Sequence, residues 1–357
     1  MTLHIALVAW VLAGASPLKL RELPAREFHP SRGETVSLPF SLETPCEVGA
    51  EIFTGDGDGV RKLTAKIPFA AKNKALVWDG KDDLGQVVPD EAYHAVWTYR
   101  CGGVEGVLDE RRTSGGIPLE PLPLSVSGDG NLTLNLPAPA RVLVRVGIKG
   151  GAMLRALHLW APSTKGTLRI AWNGIDASGV ERLVGTPGLV FMARAFSLPN
   201  QTLLTSGNTA LTYFDYRQKR RFPVPKASLA DKTLVRDGKR IAREALIPVS
   251  LLRDPRVRLS LAQPAKTTSS GESVVKGPVT FRVEVPREDQ WLVEQSLYEV
   301  SFFLDGQFVS EEETGYTPLS WRWDPKGVTK GRHVMTVNVA GFWGHVGVAS
   351  VALWVEP

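Results

Sequence analysis

Apolar and polar residues alternate along much of this chain. Val36, Leu38, Phe40 and Leu42 are separated by polar or small neighbours, and Leu132, Leu134 and Leu136 by Thr and Asn. A period of two marks strands with one buried face. Val48, Ala50 and Ile52 continue the pattern, as do Val142, Val144 and Val146, and Ala95, Trp97 and Tyr99 predict a closing strand. The run Gly55-Asp56-Gly57-Asp58-Gly59 between strands offers several positions that tolerate positive φ. Past Arg256 the pattern returns through Val257, Leu259 and Leu261, then Val279, Phe281, Val283 and Val285. Residues 300–309 read as a hairpin turning on Asp305-Gly306.

The first two-thirds of the chain is one module written twice. Trp78-Asp79-Gly80-Lys81-Asp82-Asp83-Leu84-Gly85 returns as Trp172-Asn173-Gly174-Ile175-Asp176-Ala177-Ser178-Gly179, an offset of 94 at both ends of the motif. The same offset relates Pro45 to Pro139, Val48 to Val142, Arg61 to Arg155, Leu63 to Leu157 and Leu76 to Ile170. Self-similarity at a fixed period marks a repeated structural unit. About seven short strands in ~90 residues are the dimensions of an immunoglobulin-like sandwich. The chain is therefore read as all-β, with three tandem immunoglobulin-like β-sandwich domains at 28–108, 122–216 and 256–357. The stretch 203–216 is assigned to the end of the second sandwich. Residues 217–255, where prolines interrupt a weak helical pattern, are read as a connector.

The N-terminal apolar run ends in Ala13-Gly14-Ala15, which predicts a secretory signal peptide over 1–15 and hence export to periplasm, cell surface or medium. No other apolar run approaches the ~20 residues of a membrane span. The two cysteines, Cys46 and Cys101, both fall in the first repeat, and positions 140 and 195 of the second are both alanine. Joint replacement in an exported protein predicts a Cys46–Cys101 disulfide. The formal charge of +5 is mild and diffuse, and names no partner.

The first repeat, through Phe40-Ser41-Leu42, Pro45-Cys46-Glu47-Val48 and the Trp78-Asp79-Gly80 turn, resembles the Ig-like domain of the flagellar hook-capping protein FlgD and of Vpr-type secreted proteases. The second repeat is a divergent copy. The third module, through Phe303-Leu304-Asp305-Gly306, Trp321 and Trp323-Asp324, and Gly331-Arg332-His333, is similar to Ig-like domains appended to bacterial surface proteins and secreted hydrolases. Such modules are mostly spacers, assembly scaffolds or accessory binding units, so the resemblance implies no activity by itself.

Few residues invite chemistry. Asp79, Asp82 and Asp83 cluster as calcium ligands do, but the second copy keeps only Asp176. A tight hairpin, in which Asp side chains accept backbone N–H groups and Gly80, Gly85, Gly174 and Gly179 supply the backbone conformation, accounts for both copies. No nucleophile elbow, zincin motif or Cys-x-x-Cys occurs. No catalytic residue, metal or cofactor is expected, and no nucleic-acid partner. Arg217, Lys219, Arg220 and Arg221 form a basic cluster that reads either as a solvated linker or as a grip on a polyanion. Among Tyr316, Trp321, Trp323, Phe342 and Trp343, Trp323 is assigned to the core. Trp343, at a loop tip, is the candidate for sugar stacking. The expectation is an exported, non-catalytic scaffold that spaces and presents loops to a protein partner in a surface or extracellular assembly. A glycan- or polyanion-binding accessory protein is the alternative.

Overall fold

The computed structural model describes residues 16–23, 26–128, 130–225 and 235–356; the expected signal peptide lies outside the described residues. The protein is all-β and built of immunoglobulin-like sandwiches. Described residues through Arg112, with Gln201–Thr212, form one compact unit, and Thr113–Asn200 with those from Tyr213 onward form the other.

The first sandwich contains β1 (Leu18–Leu20), β2 (Glu27–Phe28), β3 (Val36–Leu42), β4 (Cys46–Thr54), β5 (Gly59–Phe69), β6 (Lys72–Trp78), β7 (Ala92–Cys101) and β8 (Val104–Leu108), then the single turn α1 (Glu110–Thr113). β1, β3 and β6 make one sheet; β4 lies between β5 and β7 in the other, and β8 folds back onto β7. Val36, Leu38, Phe40 and Leu42 are all buried, as their spacing requires, and the Phe40 ring packs on Trp97.

The sixth strand of the second sheet comes from far along the chain. Thr202–Thr205 pairs antiparallel with β7 and parallel with β2. This corrects the assignment of 203–216 to the second sandwich as far as residue 212; Tyr213 to Tyr216 group with the unit that holds the second sandwich. Leu203 and Leu204 are both buried, so no alternation in the sequence says which sheet they join. The polar groups of the 89–91 corner decide it. Thr205 donates to the Pro89 carbonyl at 2.8 Å, and Asp90 accepts the N–H groups of Gly207 and Asn208.

The second sandwich is smaller: β9 (Leu124–Val126), β10 (Leu132–Leu136) and β13 (Gly166–Ile170) face β11 (Ala140–Ile148), β12 (Met153–Ser163) and β14 (Leu189–Ser197). The strand Thr202–Thr205, β15, follows β14 in sequence yet belongs to the first sandwich. In its place the segment before β9 lies briefly along β14, where Gly116 and Leu119 donate to the Ser197 and Ala195 carbonyls.

The described residues of 217–255, a stretch expected to be a connector, are folded. They begin inside helix α2 (Tyr213–Lys219) and continue through a small hairpin, β16 (Val235–Arg236) and β17 (Lys239–Arg240), and two 3-10 turns, Arg243–Leu246 and Val249–Leu251. Ile247, Leu251 and Leu252 form a core of their own with Leu143, Trp160 and Phe196 of the second sandwich and Leu292 of the third.

The third sandwich is complete. β18 (Arg258–Leu261), β20 (Val279–Glu284) and β23 (Leu319–Trp323) pack on β19 (Ser273–Val275), β25 (Val346–Val355), β24 (Gly331–Gly341), β21 (Tyr298–Leu304) and β22 (Gln307–Glu312), with α3 (Arg287–Val293) between β20 and β21. Its Phe303 inserts into the core of the second sandwich. Asn338 also exchanges two 2.8 Å hydrogen bonds with the backbone of Met153.

Candidate functional site

The repeated turns have the same internal wiring. Trp78 is buried and its indole donates to the Lys81 carbonyl at 2.9 Å; Trp172 does the same to Ile175 at 2.9 Å. Arg61 reaches the Asp82 carbonyl, and Arg155 the carbonyls of Ile175 and Asp176. Asp79 and Asn173 accept the N–H two residues on. The buried carboxylates of Asp82 and Asp176 accept the N–H groups of Leu84 and Gln86, and of Ser178, Val180 and Glu181. These oxygens are occupied by backbone donors, as an Asx-turn requires. Gly80, Gly85, Gly174 and Gly179 all have positive φ. At Gly80 a Cβ would also lie 2.2 Å from Pro30. Among the described residues no group of three or more His, Cys, Asp or Glu is placed to hold a metal.

The copies then part. The second turn is one residue longer, since Leu183 donates to Gly174 where Val88 donates to Gly80. Ser178 of the second turn accepts the Ser350 N–H of β25, whereas its counterpart Leu84 is exposed.

The basic cluster is not assembled as one patch. Arg217 is buried, donates to the Pro223 carbonyl at 2.7 Å and lies over the rings of Tyr213 and Phe222. Arg220 lies over Tyr216 and Phe222, leaving Lys219 and Arg221 exposed. The amphipathic spacing of Tyr213, Tyr216 and Arg217 is the signal that this stretch is a packed helix. Trp343 is half-buried against the connector core. His345, two residues on, is buried.

His345 belongs to a charged cluster. Arg145 pairs with Asp254 at 2.6 Å and donates to the Gly344 carbonyl at 2.8 Å. Burial pushes the Asp254 carboxyl up against the pull of Arg145 and the Val346 N–H. Burial, with help from Arg145 and Arg253, holds the His345 ring down at about 4. Nearby Asp289 is fully buried, but the bonds from Arg256 and Arg253 outweigh that burial and hold it down at about 2. These groups fix the joint between the second and third sandwiches.

The loop end of the third sandwich carries the candidate site. The Phe342 N–H donates to the Leu297 carbonyl and the Gly315 N–H to the Tyr298 carbonyl, tying three loops together. A Cβ at Gly315 would sit 2.2 Å from the Tyr298 carbonyl oxygen, so only glycine allows that approach. The loops enclose a groove of about 420 Å³ lined by Leu297, Tyr298, Glu299, Glu311, Glu313 and Phe342, among others. Leu297 is 79% exposed and Phe342 55%. Carboxylates beside aromatic rings suit a cationic side chain, or a sugar that stacks and donates hydroxyls. Phe342 was legible as an aromatic in a Gly-flanked loop. The three glutamates were not, because Glu299 and Glu311 come from strands, and Glu313 from the bend after one, whose pairing the sequence does not reveal.

No family model matches the chain, and no protein of curated function matches it. Among solved structures it is similar to the fibronectin(III)-like modules of Clostridium thermocellum CbhA, at 9% identity over 95% of this chain and 94% of that one, with a TM-score of 0.21. It is also similar to a Ca2+-stabilised ice-binding adhesin of an Antarctic bacterium, at 10% identity over 97% and 75% of the two chains and a TM-score of 0.18.

Proposed function

We propose that this chain is an exported, non-catalytic scaffold that holds the loop-end groove of the third sandwich at a set position and presents it to a protein partner in a surface or extracellular assembly. The observation that carries this reading is the shared core of the second sandwich, the connector and the third sandwich. A spacer transmits position only through stiff joints, and this joint is packed and charge-locked. The Cys46–Cys101 disulfide supports export, since such bonds persist in oxidising compartments. The groove's carboxylates and rings suit holding a cationic or sugar ligand. Its acidic rim favours a basic protein segment. Polysaccharide is the second reading, favoured by the exposed Phe342 ring beside Glu311 and Glu313.

A photoreactive residue placed at position 342 in exporting cells tests this. The expected result is a discrete protein adduct, lost when Glu311 and Glu313 are both changed to Lys. A glycan-array signal abolished by Phe342→Ala would move the ligand to polysaccharide. The absence of both adduct and glycan signal would refute the binding role of the groove.

A further inference from the structure

The second sandwich is one strand short along β14. In the first sandwich the corresponding strand, β7, is covered by β15 at 92–94 and by β8 at 97–101. In the third, β24 is paired along its full length by β25. β14 is paired along one side by β11, and among the described residues its other side is met only near Ala195 and Ser197. There the Ala195 carbonyl accepts the Leu119 N–H, and Ser197 donates to Ile117. The period of two places the N–H and C=O of Ala193 and Phe191 on the same open side. The next bond in the ladder would come from residue 121, a proline, which has no N–H to give. Among the described residues, the backbone groups of Phe191 and Ala193 on this side have no partner.

The side chains agree with the backbone. Exposed strand edges are normally guarded by charge or proline. β5 carries Lys62, Lys66 and Pro68, β6 carries Lys72 and Lys74, and β22 carries Glu311 and Glu312. Leu189-Val190-Phe191-Met192-Ala193 carries neither charge nor proline. Val190 and Met192 are 41% and 42% exposed on one face, while Leu189, Phe191 and Ala193 are only half-buried on the other.

We propose that this edge is a strand-addition site for an extended segment of another polypeptide, with apolar residues at alternate positions. The segment would run beside 189–193, about five residues or ~17 Å of strand. It would extend the sheet from the point where Leu119 leaves it, with two main-chain donors and two acceptors waiting. Main-chain bonds give such complexes their affinity and alternate side chains their selectivity. The occupant is a strand because both sister sandwiches of this chain hold one there. It comes from outside because the chain's own next strand, β15, is used in the first sandwich. This site is independent of the groove on the third sandwich.

The probe is an end-blocked, fluorescent heptapeptide of alternating Val and Thr, added to the full chain. Anisotropy should rise saturably, and hydrogen exchange should slow at Phe191 and Ala193. Ala193→Pro removes a donor that points away from β11, and Met192→Lys places a guard charge on the edge. Each should weaken binding at least about tenfold, while Phe308→Lys on β22 leaves it unchanged. Near-native melting of Met192→Lys keeps the test valid if the proline variant misfolds. Absence of protection at Phe191 and Ala193 at saturating peptide would overturn the proposal. So would protection of the same amides without peptide in a protein that sediments as a dimer, since the occupant would then be a second copy.

Discussion

Cys46 and Cys101 stand directly opposite each other on β4 and β7, Cα atoms 4.4 Å apart, and their disulfide ties two neighbouring strands of one sheet. In antibody domains the corresponding bond crosses between sheets. In the second sandwich the register differs, because Ala140 faces Ser197 and Ala195 faces Val142. The alanine at 195 is therefore not the structural counterpart of Cys101. The bond closes a separation of 55 residues.

Replacing both cysteines by alanine should destabilise the first sandwich by about 4 kcal/mol. Denaturant unfolding followed through fluorescence should show one transition moving and the transition of the second unit staying. An unmoved first transition would mean that the sheet alone sets its stability.

The turns give a ranked set of variants. Asp82→Ala and Asp176→Ala each strand buried backbone donors and should each cost about 1–3 kcal/mol. Gly80→Ala should be worse than Gly85→Ala, because both need positive φ but only Gly80 also meets Pro30. Millimolar calcium over a chelator control should leave the melting temperature in place. A marked rise would contradict the turn reading.

Acid should loosen the joint through His345. Its ring is held at about 4 in the fold, so below its ordinary value of 6.5 the unfolded chain takes up a proton that the native chain refuses. The stability this neutral ring allows is lost as pH falls from about 6.5 to about 4, by roughly 3 kcal/mol at most. Asp254, pushed up by burial, acts in the opposite sense, and Asp289 matters only further down, toward about 2. His345→Gln should flatten the stability profile between pH 6.5 and 4. An unchanged slope would assign the loss to other groups.

The sheets were legible because alternation survives wherever one face is buried, as at Val36 to Leu42 and Leu132 to Leu136. The repeat was legible as far as Gly179; a longer turn then moved β14 out of the 94-residue register. What the sequence could not convey was long-range choice. Leu203 and Leu204 would suit either sandwich, and hydrogen bonds from residues more than a hundred positions away decide between them. Arg217 and Arg220 looked solvated because their partners, the rings of Tyr213, Tyr216 and Phe222, count as apolar in any pattern. Trp343 looked exposed because Leu143 and Leu251, which share its core, lie about a hundred or more residues earlier in the chain.

The scaffold account rests on the second and third sandwiches moving as one body, and native-state hydrogen exchange along 241–252 tests that most directly. These residues hold the core shared by both sandwiches. Their amides should open together with those of β11 and β24, in one cooperative unit. Fast exchange along 241–252 while both flanking sheets stay protected would make the connector a hinge, and the two sandwiches would not move as one body.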